Sequence, residues 1–234
     1  MHKIVVANYK MNGDKNFYLN VQKRLNKLNV KDTDVVLCPP FVYLPFFKTK
    51  NKKLSLGCQD IANVQKGKST GQTSAEMLNE FGVRYSIVGH SERKALGETD
   101  EQIANKVKVC FDNAIEPIVC IGGKTKQVKE SFLKNQIESA LSFVQGKRVI
   151  FAYEPLWAIG SGLVPTVENI NTASKIIKDT CTERGFVPVV LYGGSVDDNN
   201  YKELIKANID GFLVGGTSLK VDKFINLVKG VDNE

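Results

Sequence analysis

Eight short apolar runs, each separated from the next by a longer segment of mixed polarity, limit more than anything else what this chain can fold into. They are "KIVVAN" (3–8), "DVVLC" (34–38), "LSLGCQ" (54–59), "YSIVGH" (85–90), "EPIVCIG" (116–122), "RVIFAYE" (148–154), "VPVVLYGG" (187–194) and "DGFLVGG" (210–216). Most are rich in β-branched residues and apolar throughout rather than at alternate positions, which predicts strands covered on both faces. The intervening segments carry the helical period instead. Ile103, Val107 and Cys110 recur at spacings of four and three within 98–114. Ile170, Ala173, Ile176 and Ile177 do the same within 166–184, behind Thr166 as an N-cap. The segment around "YLPFFKTKN" is short and gives the weakest helical pattern of the series. Buried strands joined by helical crossovers lie parallel. Eight such units in 234 residues fit an α/β fold closed into an eightfold (β/α) parallel barrel, for which about 250 residues is typical. An open doubly wound sheet is the alternative. No Pro/Gly/Ser-rich linker interrupts the series, so residues 1–234 read as one domain.

Composition excludes several function classes. No apolar stretch reaches the roughly 18 residues of a membrane span, and "MHKIVVANYK" has neither the apolar core nor the cleavage site of a secretory signal. Five cysteines, an odd number without C-x-x-C spacing, point to reduced thiols and a cytoplasmic protein. The net charge of +7 and the cluster "KTKNKK" (48–53) lack interleaved aromatics, so a solvated face is expected there and not a nucleic-acid surface. "ANVQKGKS" (62–69) nearly spells a nucleotide P-loop, but a functional one needs a helix opening at Ser69, whereas the helix is predicted to start near Thr73.

A barrel collects chemistry where its strands end, and reactive residues stand there. Asn8 and Lys10 follow the first run, His90, Ser91 and Glu92 the fourth, Glu154 the sixth, and "YGGS" and "VGG" the last two. Taken singly, each has a bland reading: a structural histidine, a surface amine, a capping acid, tight turns. Their joint placement at strand ends is what bland residues have no reason to adopt. A carboxylate base, an imidazole donor and an ammonium at one mouth suit proton abstraction beside a carbonyl, with the developing enediolate stabilised. Glycine pairs on adjacent strands, with Ser195 and Ser218 just beyond, suit a phosphate cradle of backbone N–H groups. The substrate class is then a small phosphorylated aldose or ketose.

The segments "NYKMNG", "TSAEML", "VGHSER", "AYEPLWAIGSG", "LYGGSV" and "DGFLVGGTSL" span the chain and together resemble the triosephosphate isomerase family. The resemblance implies a TIM barrel that interconverts dihydroxyacetone phosphate and D-glyceraldehyde 3-phosphate, in glycolysis and gluconeogenesis, with no metal or organic cofactor. It implies Glu154 as the base and His90 as the electrophile, with Lys10 and Asn8 assisting and Glu92 beside them. Gly160, Ser195, Gly215 and Gly216 would bind phosphate, along with Asn8 and Lys10 on the substrate. Residues 155–165 would form a lid: Pro155, Leu156, Trp157, Ala158, Ile159, Gly160, Ser161, Gly162, Leu163, Val164 and Pro165. A homodimer is implied, with Thr70, Gln72 and Arg93 at the contact. The chain departs from the family's pattern at Leu163 and Pro165 in the lid's far hinge, at Gly123 where a Glu is usual, and at Ser69 and Gln72. Two other readings exist: another phosphosugar or aminosugar isomerase on the same kind of barrel, and a basic adhesion protein with a retired site.

Overall fold

Each of the eight runs forms a strand, and the strands pair in sequence order, all parallel, with the last closing on the first. The computed structural model describes residues 2–158 and 163–234. The strands are β1 (Lys3–Asn8), β2 (Thr33–Cys38), β3 (Leu54–Cys58), β4 (Val83–Val88), β5 (Glu116–Ile121), β6 (Arg148–Tyr153), β7 (Val187–Tyr192) and β8 (Gly211–Val214). Outside them run α1 (Lys15–Leu25), α2 (Ala75–Glu80), α3 (Ser91–Ala95), α4 (Asp100–Asp112), α5 (Glu130–Ala140), α6 (Val167–Glu183), α7 (Tyr201–Leu204) and α8 (Val221–Asp232). The closed barrel, not the open sheet, is therefore the architecture.

Local sequence explains where helices begin. Thr166 accepts a hydrogen bond from Asn169 N, capping α6 as expected, and Thr99 and Gln102 close a reciprocal capping box on α4. Ser74 caps α2 through Met77 N, so no helix opens at Ser69 and the P-loop reading fails. The second crossover is a 3-10 turn over Phe41–Phe46; Pro45 lies inside it and has no N–H for the α ladder.

Successive side chains in a strand point to opposite faces, and that period of two divides the core in this barrel. Ile4, Val6, Val36, Ile150, Ala152 and Leu213 belong to an inner cluster within the barrel, while Val5, Ala7, Val35, Leu37, Phe151 and Val214 pack in the larger one under the helices. Truncating one such aliphatic side chain to alanine costs ~2–5 kcal/mol. All five cysteines are buried free thiols, and burial raises the Cys38, Cys110 and Cys120 thiols well above their ordinary range. Among the described residues no helix is long and apolar enough to cross a membrane.

Candidate active site

The inward phase of the strands delivers the site. Ile4 and Val6 face inward, so the next residue in phase on β1 is Asn8; Ile150 and Ala152 lead likewise to Glu154. Glu154 is 2% exposed and Asn8 6%. Its backbone N–H donates to Ile121 O at 2.7 Å, which ties the end of β6 to β5. Gly122 makes this approach possible, because a Cβ there would collide with the Glu154 carbonyl. His90 arrives differently. β4 ends at Val88, and Gly89, at φ +67°, turns the chain so that His90 stands as N-cap of α3.

Four side chains form one line of contacts, from Lys10 through Glu92 and His90 to Glu154. His90 Nε2 lies 3.2 Å from Glu154 Oε1, and Glu154 Oε2 accepts from Ser91 N at 3.2 Å. His90 Nδ1 accepts from Glu92 N at 3.1 Å. An acceptor nitrogen carries no proton, so the ring's hydrogen sits on Nε2 and points into the mouth. Lys10 Nζ pairs with Glu92 Oε1 at 2.6 Å. Lys10 itself is left-handed, at φ 51°, an uncommon conformation for a residue with a side chain. Two side chains hold it there: Asn8 Oδ1 accepts from Lys10 N at 3.0 Å, and Gln59 Nε2 donates to Lys10 O at 2.9 Å.

Asn8, Lys10, His90 and Glu154 line one cavity of about 380 Å³ together with Ser195, Leu213, Gly215 and Gly216. The cavity thus joins the reactive groups to both glycine pairs, with Gly193 and Gly194 on its β7 side. Ser218 does not join them: it is buried and its hydroxyl donates to Gly215 O at 2.6 Å, shaping the turn. Of the segment 155–165, Pro155, Leu156, Trp157, Ala158, Leu163, Val164 and Pro165 are described. Leu156 N donates to Gly123 O at 3.0 Å, and Leu163 and Val164 are exposed. Ile159, Gly160, Ser161 and Gly162 lie outside the described residues.

A family model described as triosephosphate isomerase matches residues 3–231. The chain belongs to the triosephosphate isomerase family. It is 40% identical to the triosephosphate isomerase of Mycoplasma mobile, with 97% of this chain and 99% of the relative covered. With that of Neurospora crassa the identity is 39%, covering 96% of each, and with that of Ehrlichia chaffeensis 37%, covering 100% and 98%. Of the residues that the sequence assigned to chemistry, Asn8, Lys10, His90, Glu154, Ser195, Gly215 and Gly216 line this cavity, and Glu92 lines the hollow beside it.

Other residues assigned from the sequence stand apart from that cavity. Thr70 and Gln72 are exposed on the loop before α2. Arg93 lies with its Nε 3.1 Å from Asp60 Oδ2, and Gln72 and Arg93 line a neighbouring hollow that also reaches Lys10 and His90. Sequence reasoning missed Gln59, although it ends the third run and the strand-end rule applies to it. It also missed Asp197 and Asn200, which line the main cavity from the loop after β7. Asp197 is held below the ordinary carboxylate range: burial opposes this, but the backbone N–H groups of Asn199 and Asn200, the Asn199 side chain and the Lys223 charge together more than offset it.

Proposed function

We propose that in this chain, an isomerase interconverting dihydroxyacetone phosphate and D-glyceraldehyde 3-phosphate, Glu154 moves the proton between C1 and C2. His90 donates from Nε2 to the substrate oxygen, and the Lys10 ammonium offsets the charge that develops on the enediolate. The single observation that carries this reading is the 3.2 Å approach of His90 Nε2 to Glu154 Oε1 over a cavity that ends in the two glycine pairs. Asn8 orients Lys10, and Glu92 holds its ammonium until substrate arrives. Phosphate is received by the N–H groups and hydroxyl at Ser195, Gly215 and Gly216, with Gly160 supplied from the lid.

The route starts from a parked base. With Glu154 bonded to Ser91 N, its charge is shared with a donor that does not react. Substrate draws it off that donor, and closure of residues 155–165 replaces water around it with apolar groups, Leu213 among them. A carboxylate in such surroundings takes a proton more readily. Turnover of glyceraldehyde 3-phosphate by wild type beside Glu154→Gln tests the assignment. Loss of a general base predicts a fall in kcat of about 10²–10⁴-fold with an unchanged fold; retention of full turnover would remove Glu154 from the role.

The working form is a cytoplasmic homodimer. Met11, Phe41 and Leu96 are exposed apolar side chains of the hollow that Gln72 and Arg93 line, and grouped apolar exposure favours association. Thr70, Gln72 and Arg93 then contact the partner. Sedimentation at micromolar concentration should give twice the chain mass, and Met11→Glu should give the chain mass.

A further inference from the structure

Glu154 is a wall of two cavities, and the reaction uses only one. The second, of about 480 Å³, lies between β5, the loop 122–129, α5 and the first residues after β6. Its walls are largely apolar, formed by Ile121, Val128, Phe132, Leu133, Tyr153 and Leu156. That volume falls within the roughly 300–1,000 Å³ of small-molecule sites.

Charge is distributed unevenly in it. The Glu154 carboxylate stands on one side, held by Ser91 N, whose residue also lines the cavity. Lys124 and Lys129 line it from exposed positions on the loop. Lys94 lies in it too, its Nζ donating to Cys120 O at 3.1 Å. An anion is therefore repelled at the Glu154 side and attracted at the solvent side, while an apolar body fits between. The same loop grips the segment after β6: Gly123 O accepts from Leu156 N at 3.0 Å, and Lys126 Nζ sits 5.6 Å above the Trp157 ring.

We propose that this cavity is a second ligand site, for a small amphipathic monoanion such as an aryl or alkyl carboxylate or sulfonate, whose occupation keeps Glu154 on Ser91 N. Binding follows from the cavity alone; the effect on turnover rests on Glu154 being the base. The occupant's apolar end fills the space beside Tyr153, Leu156 and Ser91, so that the carboxylate stays bonded to the backbone N–H. Its acid group meets Lys124 and Lys129.

The probe is 8-anilinonaphthalene-1-sulfonate with the native chain. Saturable fluorescence at one site per chain is expected, lost in Val128→Trp, which fills the cavity, and weakened about tenfold in the double variant Lys124→Glu/Lys129→Glu. Saturating probe should lower kcat several-fold in wild type and leave Val128→Trp unaffected. If Val128→Trp does not fold, the charge-reversed variant, altered only at exposed positions, decides. Fluorescence that survives both variants, displacement of the probe by inorganic phosphate, or full turnover with the probe bound would overturn the proposal. Active Glu154→Gln that still binds the probe would instead sink the base assignment and leave the second site standing.

Discussion

At the floor of the barrel Lys3 Nζ donates to Ile209 O at 2.9 Å, Asp210 Oδ2 accepts from Val190 N at 2.8 Å, and Arg148 pairs with Glu116. Each charge ends on a partner that also joins two neighbouring segments. At the mouth, polar side chains buried more deeply than these are arranged around space: Glu154 and His90 hold one another at 3.2 Å, and both line a cavity. The strands supplying the two ends are the same and so is their alternation. The difference teaches that strand period decides which residues reach an end of the barrel, and only the pairing there decides whether they complete the sheet or remain available. Substitutions at the mouth should then cost activity and spare stability, and those at the floor the reverse.

The largest effect that can break this contrast is at His90. His90→Gln keeps an amide of similar reach but loses the Nε2–H fixed by Glu92 N. Removing a preorganised donor of this kind costs about 10²–10³ in kcat, with thermal stability nearly unchanged. A variant that unfolded several degrees early and kept its turnover would place His90 among structural residues. A smaller effect is expected at Gln59, which touches no reacting atom and acts through Lys10. Its amide donates to both Lys10 O and Cys38 O at 2.9 Å. Gln59→Leu frees the left-handed turn and displaces the ammonium, for about a tenfold loss in kcat/KM. Gln59→Glu retains length but not the donor and should fail equally; rescue by Glu would show that packing, not the hydrogen bond, holds Lys10.

How far the sequence reached follows the same division. Strands were legible because burial on both faces leaves an uninterrupted apolar run, and all eight runs coincide with strands to within two residues. Asn8, His90 and Glu154 were legible because each interrupts such a run at its mouth end. Gln59 obeys the same rule yet has no titratable group to draw notice. Lys106 was out of reach for another reason: it is buried on α4, pairing with Asp60 at 2.5 Å and with Glu98, partners that only the fold brings together. The segment Phe41–Phe46 shows a local limit, since the proline in it decides between a 3-10 turn and an α-helix more than its apolar spacing does.

The finest test compares two carboxylates depressed by the same means at opposite ends. Asp232, at the floor, accepts from Lys31 N and Asp32 N at 2.8 Å each, and its carboxyl is held below the ordinary range although burial opposes this. Asp197, at the mouth, accepts from Asn199 N and Asn200 N. A carboxylate depressed by folding contributes stability above its unfolded pKa, about 3.9, and loses it as pH falls through the lower folded value. Asp232→Asn should thus melt earlier at pH 7, by about 0.5 kcal/mol for so solvated a group. The gap should close as the pH drops below 3.9 towards about 2, and turnover should not change. Asp197→Asn should show the same closing gap in melting and in addition a raised KM, because Asn200, which it holds, anchors Ser195 O at 3.2 Å beside the proposed phosphate site. Equal kinetic silence in both variants would mean that the loop after β7 belongs, energetically, with the floor.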